Sequence, residues 1–443
     1  MEKGGKKVLF VSICFPPLAE VGSQRPARLC RHLPEHGWQP TVLTVSERCA
    51  LPYDPTLKSL IAPGLPVYRT PCGSWLAHTY DYRRRVSSKW RRFIRLPGHV
   101  IAYYKEKNAE PDAYRWWRSG AVRRGVELHR QFGFDLVAGT LNPWTVGIVV
   151  RDIALQCRLP YVLDYRDPWS LQTDHDHFDS PVRKAREFEV ERQLLADASA
   201  ITAVTPGIRD LYEKGFSKET RGKLHVVTNS FDPSEWTGVT PEKFDRFTIL
   251  HGGNIHATRS LKPMMKGLAA LARRGTVGRD ELQLLSYGAI SDDERNFASQ
   301  HGIEHWVRFQ RMIPRERFVR LLRGAQILLV TERWTFVVPG KTLDYLAANN
   351  PILAITSRGS QIADLVRESQ SGVVFEDDES EQIAGFVEQA IVAFRAGRPI
   401  FSAGDPQARM QFSTPYTSRQ MAAVFDSAVR AKAEPGGRPV LVT

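Results

Sequence analysis

Residues 326–356 read QILLVTERWTFVVPGKTLDYLAANNPILAIT, and this stretch decides the fold of the second half of the chain. Two short, continuously apolar runs, 326–331 and 351–356, flank a segment in which Pro339 and Gly340 begin a helix. Such runs are typical of strands that are buried on both faces of a sheet. Because a helix separates them, the two strands are expected to be parallel, so the stretch predicts one strand–helix–strand unit.

The same alternation extends along most of the chain. Further apolar runs separated by helical patterns lie at 8–13, 40–45, 135–140, 161–165, 200–204, 223–229, 247–253, 282–288, 307–310 and 372–376. The polar stretch 232–247, which contains two prolines and a glycine, divides these runs into two series. We therefore predict an α/β fold of two Rossmann-like domains, each built on a parallel sheet.

The predicted segments follow from this division. In chain order they are a first domain over 1–235 with a basic and aromatic insertion near 75–130, a linker over 236–246, a second domain over 247–405, a helix over 406–433 and a loose tail over 434–443.

The cysteine content and the apolar runs together predict the cellular compartment of the protein. The five cysteines are odd in number, show no CxxC spacing and all lie in the first 160 residues, so we expect neither a disulfide framework nor a zinc site. This usage favours a reducing compartment. No apolar run reaches the roughly 18 residues of a membrane span, and the run near the N-terminus is typical of a strand rather than of a signal peptide. We therefore predict a cytoplasmic protein.

The formal net charge of +13 is concentrated in one region. Residues 81–130 contain fourteen Lys or Arg and five Asp or Glu, interleaved with aromatic residues that include Trp90, Trp116 and Trp117. Nucleic acid, an anionic membrane surface and a solvated helical face are all compatible with this composition. No recognisable nucleic-acid-binding motif accompanies the cluster, which disfavours the first of these partners.

The loops that follow the predicted strands are the places to search for a site, because ligands of parallel α/β sheets bind at the carboxyl ends of the strands. Gly22 and Ser23 precede a helix that begins near Gln24 and can present main-chain N–H groups to an anion; an ordinary turn is the alternative. The loop is not GxGxxG, and no acidic residue ends the second strand. A dinucleotide-dependent dehydrogenase is therefore disfavoured.

Two loops of the second half contain candidate anion-binding residues. Arg259 stands beside the helix-capping Ser260, and Lys341 and Thr342 follow Gly340 at a helix start, where N–H groups, an ammonium and a hydroxyl can surround a phosphate. Asp344, one turn later, can accept hydrogen bonds from sugar hydroxyls. The alternatives are a solvated arginine and a proline-led helix start with an Asp that compensates the dipole.

The first half contains YVLDYRDPW, in which Asp164, Arg166 and Asp167 follow a buried strand. Such a cluster can orient a hydroxyl or act as a base, although Arg166 can also simply pair with either carboxylate. The stretch DHDHFD at 174–179 favours a polar loop over a metal site.

Taken in order, these pieces resemble the retaining GT-B-fold glycosyltransferases of the group 1, or family 4, class. The pieces that carry the resemblance include FPPLAEVGSQRPARLCRHLPEHGWQPTVLT at 15–44, PYVLDYRDPW at 160–169, ILHGGNIHATRSL at 249–261 and VPGKTLDYLAANNPILA at 338–354. The resemblance implies a nucleotide-sugar donor bound mainly by the second domain, an acceptor bound mainly by the first, and a reaction in the cleft between them. It also implies that the last helix crosses back to the first domain.

The resemblance implies a set of donor-binding positions: Gly22, Ser23, Gly253, Asn254, Arg259, Gly340, Lys341, Thr342 and Asp344. Asn254 stands where the family has an arginine, and Arg259 where it has a lysine. Of the family's two glutamates, the first is replaced by Phe336 and the second by Asp344.

In the first domain Asn142 takes about the place of a histidine often found in the family, and we assign Asn142, Arg166 and Asp167 to catalysis. Cations and helix N-termini can stabilise a departing diphosphate, so neither a metal ion nor another cofactor is expected.

The implied function is transfer of a sugar to a lipid-linked or polysaccharide acceptor in cell-surface glycan synthesis. A GT-B protein with altered chemistry, such as pseudo-glycosidic coupling or sugar-nucleotide epimerisation, and a non-catalytic binding subunit remain alternatives. For the basic cluster we predict peripheral attachment to the inner face of an anionic membrane through Trp90, Arg91, Arg92, Trp116 and Trp117.

Overall fold

The computed structural model describes residues 5–49, 52–72, 110–171, 180–255, 258–401 and 406–433. They form two compact units: the first contains the described residues up to Thr228 and from Thr417 onward, and the second contains Asn229–Tyr416. Trp90, Arg91, Arg92 and the stretch 174–179 lie outside the described residues, as does the predicted tail 434–443.

The first unit contains a parallel sheet of seven strands. They are β1 (Lys6–Val11), β2 (Trp38–Val45), β3 (Val67–Thr70), β4 (Leu136–Thr140), β5 (Tyr161–Tyr165), β6 (Ala200–Ala203) and β7 (Leu224–Val226), in the spatial order β3-β2-β1-β4-β5-β6-β7. The described helices of this unit are Gln24–His32, Arg118–Phe132, Thr145–Cys157, Pro181–Asp197, Pro206–Gly215 and the part of Thr414–Ala433 that follows Tyr416.

The second unit contains a parallel sheet of six strands. They are β8 (Phe247–Gly252), β9 (Leu282–Tyr287), β10 (Val307–Gln310), β11 (Ile327–Thr331), β12 (Ile352–Ile355) and β13 (Gly372–Phe375), in the order β10-β9-β8-β11-β12-β13. Its described helices are Lys262–Arg274, Asp292–Gln300, Arg315–Gly324, Gly340–Ala348, Gln361–Glu368, Ser380–Arg395 and Pro406–Met410.

Each sheet has one point at which the strand order reverses. In the first sheet it lies between β1 and β4, and in the second between β8 and β11. Strands β4, β8 and β11 are buried along their whole length, as expected for central strands covered on both faces. In this architecture ligands bind outside the carboxyl ends of the strands at the reversal point.

The two Rossmann-like sheets predicted from the sequence are confirmed, and a strand lies within or overlaps each predicted apolar run. The prediction omitted β3, whose four residues VYRT include an arginine and are mostly half-buried. An edge strand pairs on one side only, so it does not need the continuous apolar run that marks a central strand.

No disulfide was predicted from the sequence, but the structure contains one between Cys49 and Cys72. The omission of β3 from the prediction explains this error. Cys49 follows β2 and Cys72 follows β3, and these two strands are parallel neighbours. Their carboxyl ends therefore bring together two cysteines that lie 23 residues apart in sequence, with Cα atoms 6.5 Å from each other. Because two of the five cysteines form a disulfide, the cysteines no longer favour a reducing compartment.

The predicted linker 236–246 is also wrong, since the chain changes units after Thr228. Trp236 is buried in the core of the second unit, and the N–H of Glu242 donates to the carbonyl of Arg320 at 3.0 Å. A buried tryptophan holds this stretch on the second unit, although its prolines and glycine are typical of a linker.

The return of the last helix to the first unit is confirmed. The helix Thr414–Ala433 passes the unit boundary at Thr417, and Met421 and Phe425 pack in the core of the first unit. The rings of Phe425 and Trp38 meet edge to face with centroids 5.3 Å apart. In the described part of the chain, no helix has both the length and the apolar character of a membrane span.

Candidate functional site

The reversal point of the second sheet gathers most of the predicted donor-binding residues. Strand β8 ends at Gly252 and is followed by Gly253, whose φ of 110° suits a residue without a side chain. Strand β11 ends at Thr331, and the next residue, Glu332, accepts a hydrogen bond at 2.7 Å from Nε of Arg259. The loops that follow the two central strands are therefore joined by an ion pair.

Lys341 reaches into this group from the first turn of the helix Gly340–Ala348. Its Nζ lies 2.7 Å from Nε2 of His251, and Nδ1 of His251 lies 3.0 Å from the Ser286 hydroxyl. Because an ammonium can only donate, Nε2 accepts and the imidazole proton sits on Nδ1, from which it is donated to Ser286. Three neighbouring elements thus fix the position of one lysine.

Burial and charge lower the pKa values of both partners. Burial, and then the charges of Lys341 and Arg259, hold the pKa of His251 well below its ordinary value, so this imidazole is neutral. Burial, followed by the charge of Arg259, lowers the pKa of Lys341 to about 7. A nearby anion would reverse this shift, because it favours the charged ammonium.

Gly253 and Asn254 follow β8 beside Lys341. A Cβ placed on Gly253 would make an ordinary van der Waals contact with Nζ of Lys341 at 3.7 Å, so glycine is favoured here by its positive φ rather than by crowding. Asn254 is exposed, and its side-chain oxygen accepts a hydrogen bond from the N–H of Ala289 at 2.9 Å. An ammonium, a guanidinium and a helix N-terminus therefore lie around one end of the sheet, an arrangement that attracts phosphate.

The hydroxyl contact predicted for Thr342 does not agree with the structure, and the hydroxyl of Ser23 is not a candidate either. The side chains of Ser23 and Thr342 are completely buried, and neither hydroxyl has a hydrogen-bond partner in the described part of the chain. The N–H of Thr342 already donates to the carbonyl of Pro339 at 2.9 Å. Both hydroxyls are therefore turned away from solvent, and only main-chain groups of neighbouring residues remain candidates for contact with the donor.

Asp344 is held by an arginine that the sequence did not single out. Both of its carboxylate oxygens accept hydrogen bonds from Arg315 at 3.0 Å, and Arg315 also donates to Glu235 at 2.8 Å. Phe336, in the place of the family's first glutamate, stacks on Trp334 with ring centroids 5.8 Å apart.

At the reversal point of the first sheet, the structure brings the three predicted catalytic residues together. Nδ2 of Asn142, after β4, donates to Asp167, after β5, at 2.8 Å. Arg166 donates to the carbonyls of Leu141 and Asn142. Its guanidinium also lies against Gly22, where a Cβ would come within 1.8 Å of Nη1. Arg166 therefore braces the loop that positions Asn142.

Asp164 is a structural residue. It forms a bidentate ion pair with Arg25, with both distances 2.8 Å, and accepts hydrogen bonds from the hydroxyls of Thr140 and Thr202. Burial alone would raise the pKa of Asp164, but Arg25 and the two hydroxyls outweigh burial and the pKa is lowered. A buried carboxylate with this many partners holds β4, β5 and β6 to the first helix.

Buried carboxylates also hold the two loops of the Asn142–Asp167 pair. Asp112 accepts hydrogen bonds from the N–H and hydroxyl of Thr145, both at 2.8 Å, at the start of the helix that follows Asn142. On the other loop, Glu187 accepts from Trp169 Nε1 at 2.7 Å and Glu191 accepts from the N–H of Ser170 at 2.9 Å. The pair is therefore fixed from both sides.

The two tryptophans of the basic region that the structure describes have different environments. Trp117 is fully buried and its Nε1 donates to the hydroxyl of Thr70 at 2.6 Å, so its predicted role in membrane contact is wrong. Trp116 is 57 % exposed, with the Arg115 guanidinium 4.3 Å from its ring centroid.

His251, Glu332 and Arg315 were missed by the sequence prediction. A polar residue inside the apolar run FTILHGG and an acidic residue directly after QILLVT were visible signals for the first two. Arg315 lies among many arginines in RMIPRERFVRLLR and carried no such signal. Within the described ranges, no cluster of three or more His, Cys, Asp or Glu is arranged to hold a metal ion.

Two family models match this chain. The glycosyl transferase 4-like domain family matches residues 22–230, and the family of glycosyl transferases group 1 matches residues 246–392. A search of curated proteins finds no significant match.

Solved structures with the same fold cover nearly the whole chain. A glycosyltransferase from Rickettsia africae is 11 % identical with a TM-score of 0.62 and covers 96 % of this chain and 99 % of its own. A sucrose-phosphate synthase from Thermosynechococcus elongatus is 14 % identical with a TM-score of 0.60, over 96 % and 100 %. The Anabaena protein HepE, crystallised in complex with UDP, is 14 % identical with a TM-score of 0.59, over 95 % and 100 %.

At these identities the structures show the fold, whereas the two family matches, one on each Rossmann-like unit, show the family. The chain belongs to the group 1 glycosyltransferases of the GT-B fold.

Proposed function

We propose that this glycosyltransferase moves a sugar from a nucleoside diphosphate sugar to a hydroxyl of a lipid-linked or polysaccharide acceptor, in the synthesis of a cell-surface glycan. The observation that carries the donor part is the meeting of Arg259, Lys341 and the N-terminus of the helix Gly340–Ala348 at the reversal point of the second sheet. HepE, which shares the fold, has been crystallised with UDP and with UDP-glucose.

In this proposal the second unit holds the donor. Arg259 and Lys341 pair with the diphosphate, and the main chain around Gly253, Asn254 and Gly340 lies alongside it. Asp344 accepts a hydrogen bond from the ribose. Gly22 in the first unit is a further proposed donor contact.

The proposed chemistry is displacement with retention of configuration. The bond between the sugar and the diphosphate breaks, and the negative charge that develops on the leaving phosphate oxygen is stabilised by Arg259 and Lys341. The acceptor hydroxyl forms the new bond on the same face and gives its proton to that phosphate oxygen. Asp167, held by Asn142, orients the hydroxyl. The two cations supply the positive charge that the leaving group requires, so the proposal includes no metal ion or other cofactor.

The proposed location is the cytoplasm, on the inner face of the membrane, because a lipid-linked acceptor has to be met at a surface. The excess of basic residues in 81–130 and the exposed Trp116 support attachment to anionic headgroups.

The test is turnover of a panel of UDP-, GDP- and ADP-sugars by the purified full-length chain, with the product's anomeric configuration read by NMR. Slow hydrolysis of one donor, or its transfer with retention to a glycan acceptor, is expected. Release of an epimerised nucleotide sugar would indicate altered chemistry instead, and absence of turnover with every donor would indicate a non-catalytic subunit.

A further inference from the structure

Arg315 connects two acidic residues of the second unit. It donates from Nη1 to Oδ2 and from Nη2 to Oδ1 of Asp344, both at 3.0 Å, and from Nη2 to Oε2 of Glu235 at 2.8 Å. We refer to Glu235, Arg315 and Asp344 together as the carboxylate clamp. The side chains of Glu235 and Asp344 are each 10 % exposed, so both are largely buried and each keeps a small exposed fraction.

The clamp fixes the direction of the Asp344 carboxylate. A bidentate contact with a planar guanidinium sets both oxygens at once, which a single hydrogen bond does not do. Glu235 in turn holds the arginine. Burial alone would lower the pKa of Arg315, but the two paired carboxylates, Asp344 and Glu235, outweigh burial and raise this pKa above its already high value. Asp344 is thereby presented as an oriented acceptor of hydrogen bonds.

The position of Asp344 along the helix is compatible with a contact to the ribose of a bound nucleotide. It lies three residues after Lys341, which is about 4.5 Å further along the helix axis. In a nucleotide the ribose is joined directly to the α-phosphate, so a residue that contacts its hydroxyls has to lie close to the phosphate-binding residues. A carboxylate has about four acceptor positions, and the contact with Arg315 is compatible with hydrogen bonds from hydroxyls.

We propose that Glu235 and Arg315 are positioning residues that hold Asp344 for the 2′-hydroxyl of the donor, so that the site takes ribonucleoside diphosphates and rejects their 2′-deoxy counterparts. This inference rests on the proposed function. A site that accepts a hydrogen bond from a substrate hydroxyl discriminates against the analogue that lacks it, because the largely buried carboxylate then loses one of its hydrogen bonds and water replaces it poorly. The donor class is therefore ribonucleotide sugars, and deoxythymidine diphosphate sugars are excluded.

The experiment is calorimetric titration of the full-length chain with UDP and dUDP, ADP and dADP, and GDP and dGDP. For the pair whose base the site accepts, the wild type is expected to bind the ribonucleotide about tenfold or more tightly than the deoxynucleotide. Arg315→Gln should bring this ratio close to one, and Glu235→Gln, which leaves the Arg315–Asp344 contact in place, should reduce it in part.

Arg317→Gln is the matched control, since Arg317 is on the same helix and pairs with Glu242 in an exposed ion pair. It should leave the ratio unchanged. Glu235→Gln keeps the test decisive if Arg315→Gln does not fold, because the glutamine retains the size of the side chain.

The outcomes separate this inference from the proposed function. Equal binding of ribo- and deoxynucleotide by the wild type overturns the inference alone. So does a clamp variant that weakens both nucleotides equally and keeps the wild-type ratio, since that is the behaviour of a merely structural ion pair. Failure of every nucleotide to bind the wild type overturns the proposed donor site together with the inference.

Discussion

Lys341 Nζ lies 2.7 Å from Nε2 of His251, so the cation at the start of the helix Gly340–Ala348 contacts a neutral imidazole at the end of β8. A neutral partner fixes the position of the ammonium without neutralising it. Arg259, the other cation of the group, is paired with the buried Glu332. Of these two cations, Lys341 is therefore the one whose protonation state depends more on whether an anion is bound.

The first prediction concerns the pH dependence of nucleotide binding. Because the pKa of Lys341 is about 7 without ligand and a diphosphate raises it, binding above that pH requires uptake of a proton. The dissociation constant of UDP should rise as the pH passes through 7 and should approach an increase of about tenfold per pH unit above pH 8. Titration calorimetry in buffers of different ionisation enthalpy measures both the affinity and the proton uptake.

Lys341→Arg is the control for this dependence, since arginine stays charged throughout the range. Its UDP affinity should not change between pH 7 and 9. The same slope in this variant and in the wild type would show that another group titrates.

The second prediction separates the two roles of Arg259. Arg259→Ala should abolish donor turnover, and it should also lower the melting temperature because it leaves the buried carboxylate of Glu332 without its cation. The double variant Arg259→Ala/Glu332→Gln removes the buried charge. It should recover most of the melting temperature and none of the activity. Recovery of both would mean that Arg259 acts only as a partner of Glu332.

Arg259 and Lys341, the proposed donor-binding cations, could be singled out from the sequence for a definite physical reason. Arg259 and Lys341 lie next to a capping serine and a proline-led helix start, which are local signals that a sequence displays. The partners of these residues are not local. Glu332 is 73 residues from Arg259 and His251 is 90 residues from Lys341, so only the reversal of strand order brings each pair together.

The same dependence on residues that are distant in sequence explains the predictions that were wrong. The disulfide between Cys49 and Cys72 depends on β3, a short edge strand without an apolar run. The burial of Trp117 depends on a hydrogen bond to Thr70 in that same strand. A polar strand at a sheet edge leaves little pattern in the sequence, and each conclusion that required it was missed.

The third prediction concerns Gly22 and Arg166. Gly22→Ala should push the Arg166 guanidinium away from the Asn142 loop, because the new Cβ would come within 1.8 Å of Nη1. Because the end of a flexible side chain can move aside, we expect a loss of less than about 1 kcal/mol in the free energy of unfolding, together with lower transfer activity.

Arg166→Ala removes both the clash with a Cβ at position 22 and the contact of Arg166 with the Asn142 loop. Adding Gly22→Ala to this variant should therefore cause almost no further loss in the free energy of unfolding, as measured by denaturant melts. A full additional loss in the double variant would mean that the glycine serves another contact.

The fourth prediction concerns the tryptophans of the basic region. Trp117→Ala should cost about 3–5 kcal/mol of stability, because it empties a buried site and leaves Thr70 without its partner. Trp116→Ala should change stability by less than about 0.5 kcal/mol and should weaken binding to vesicles that contain anionic lipid. Sedimentation with vesicles at low and high salt measures this, and unchanged binding by Trp116→Ala would remove that residue from the membrane contact.

The central claim is that Arg259 and Lys341 at the end of the second sheet bind the donor diphosphate. Its most direct measurement is calorimetric titration of UDP, GDP and ADP into the wild type, Lys341→Met, Arg259→Ala/Glu332→Gln and the surface control Arg317→Gln. We predict that one nucleotide binds the wild type and Arg317→Gln with equal affinity and binds the two site variants at least about tenfold more weakly. Wild-type affinity in both site variants would contradict the account.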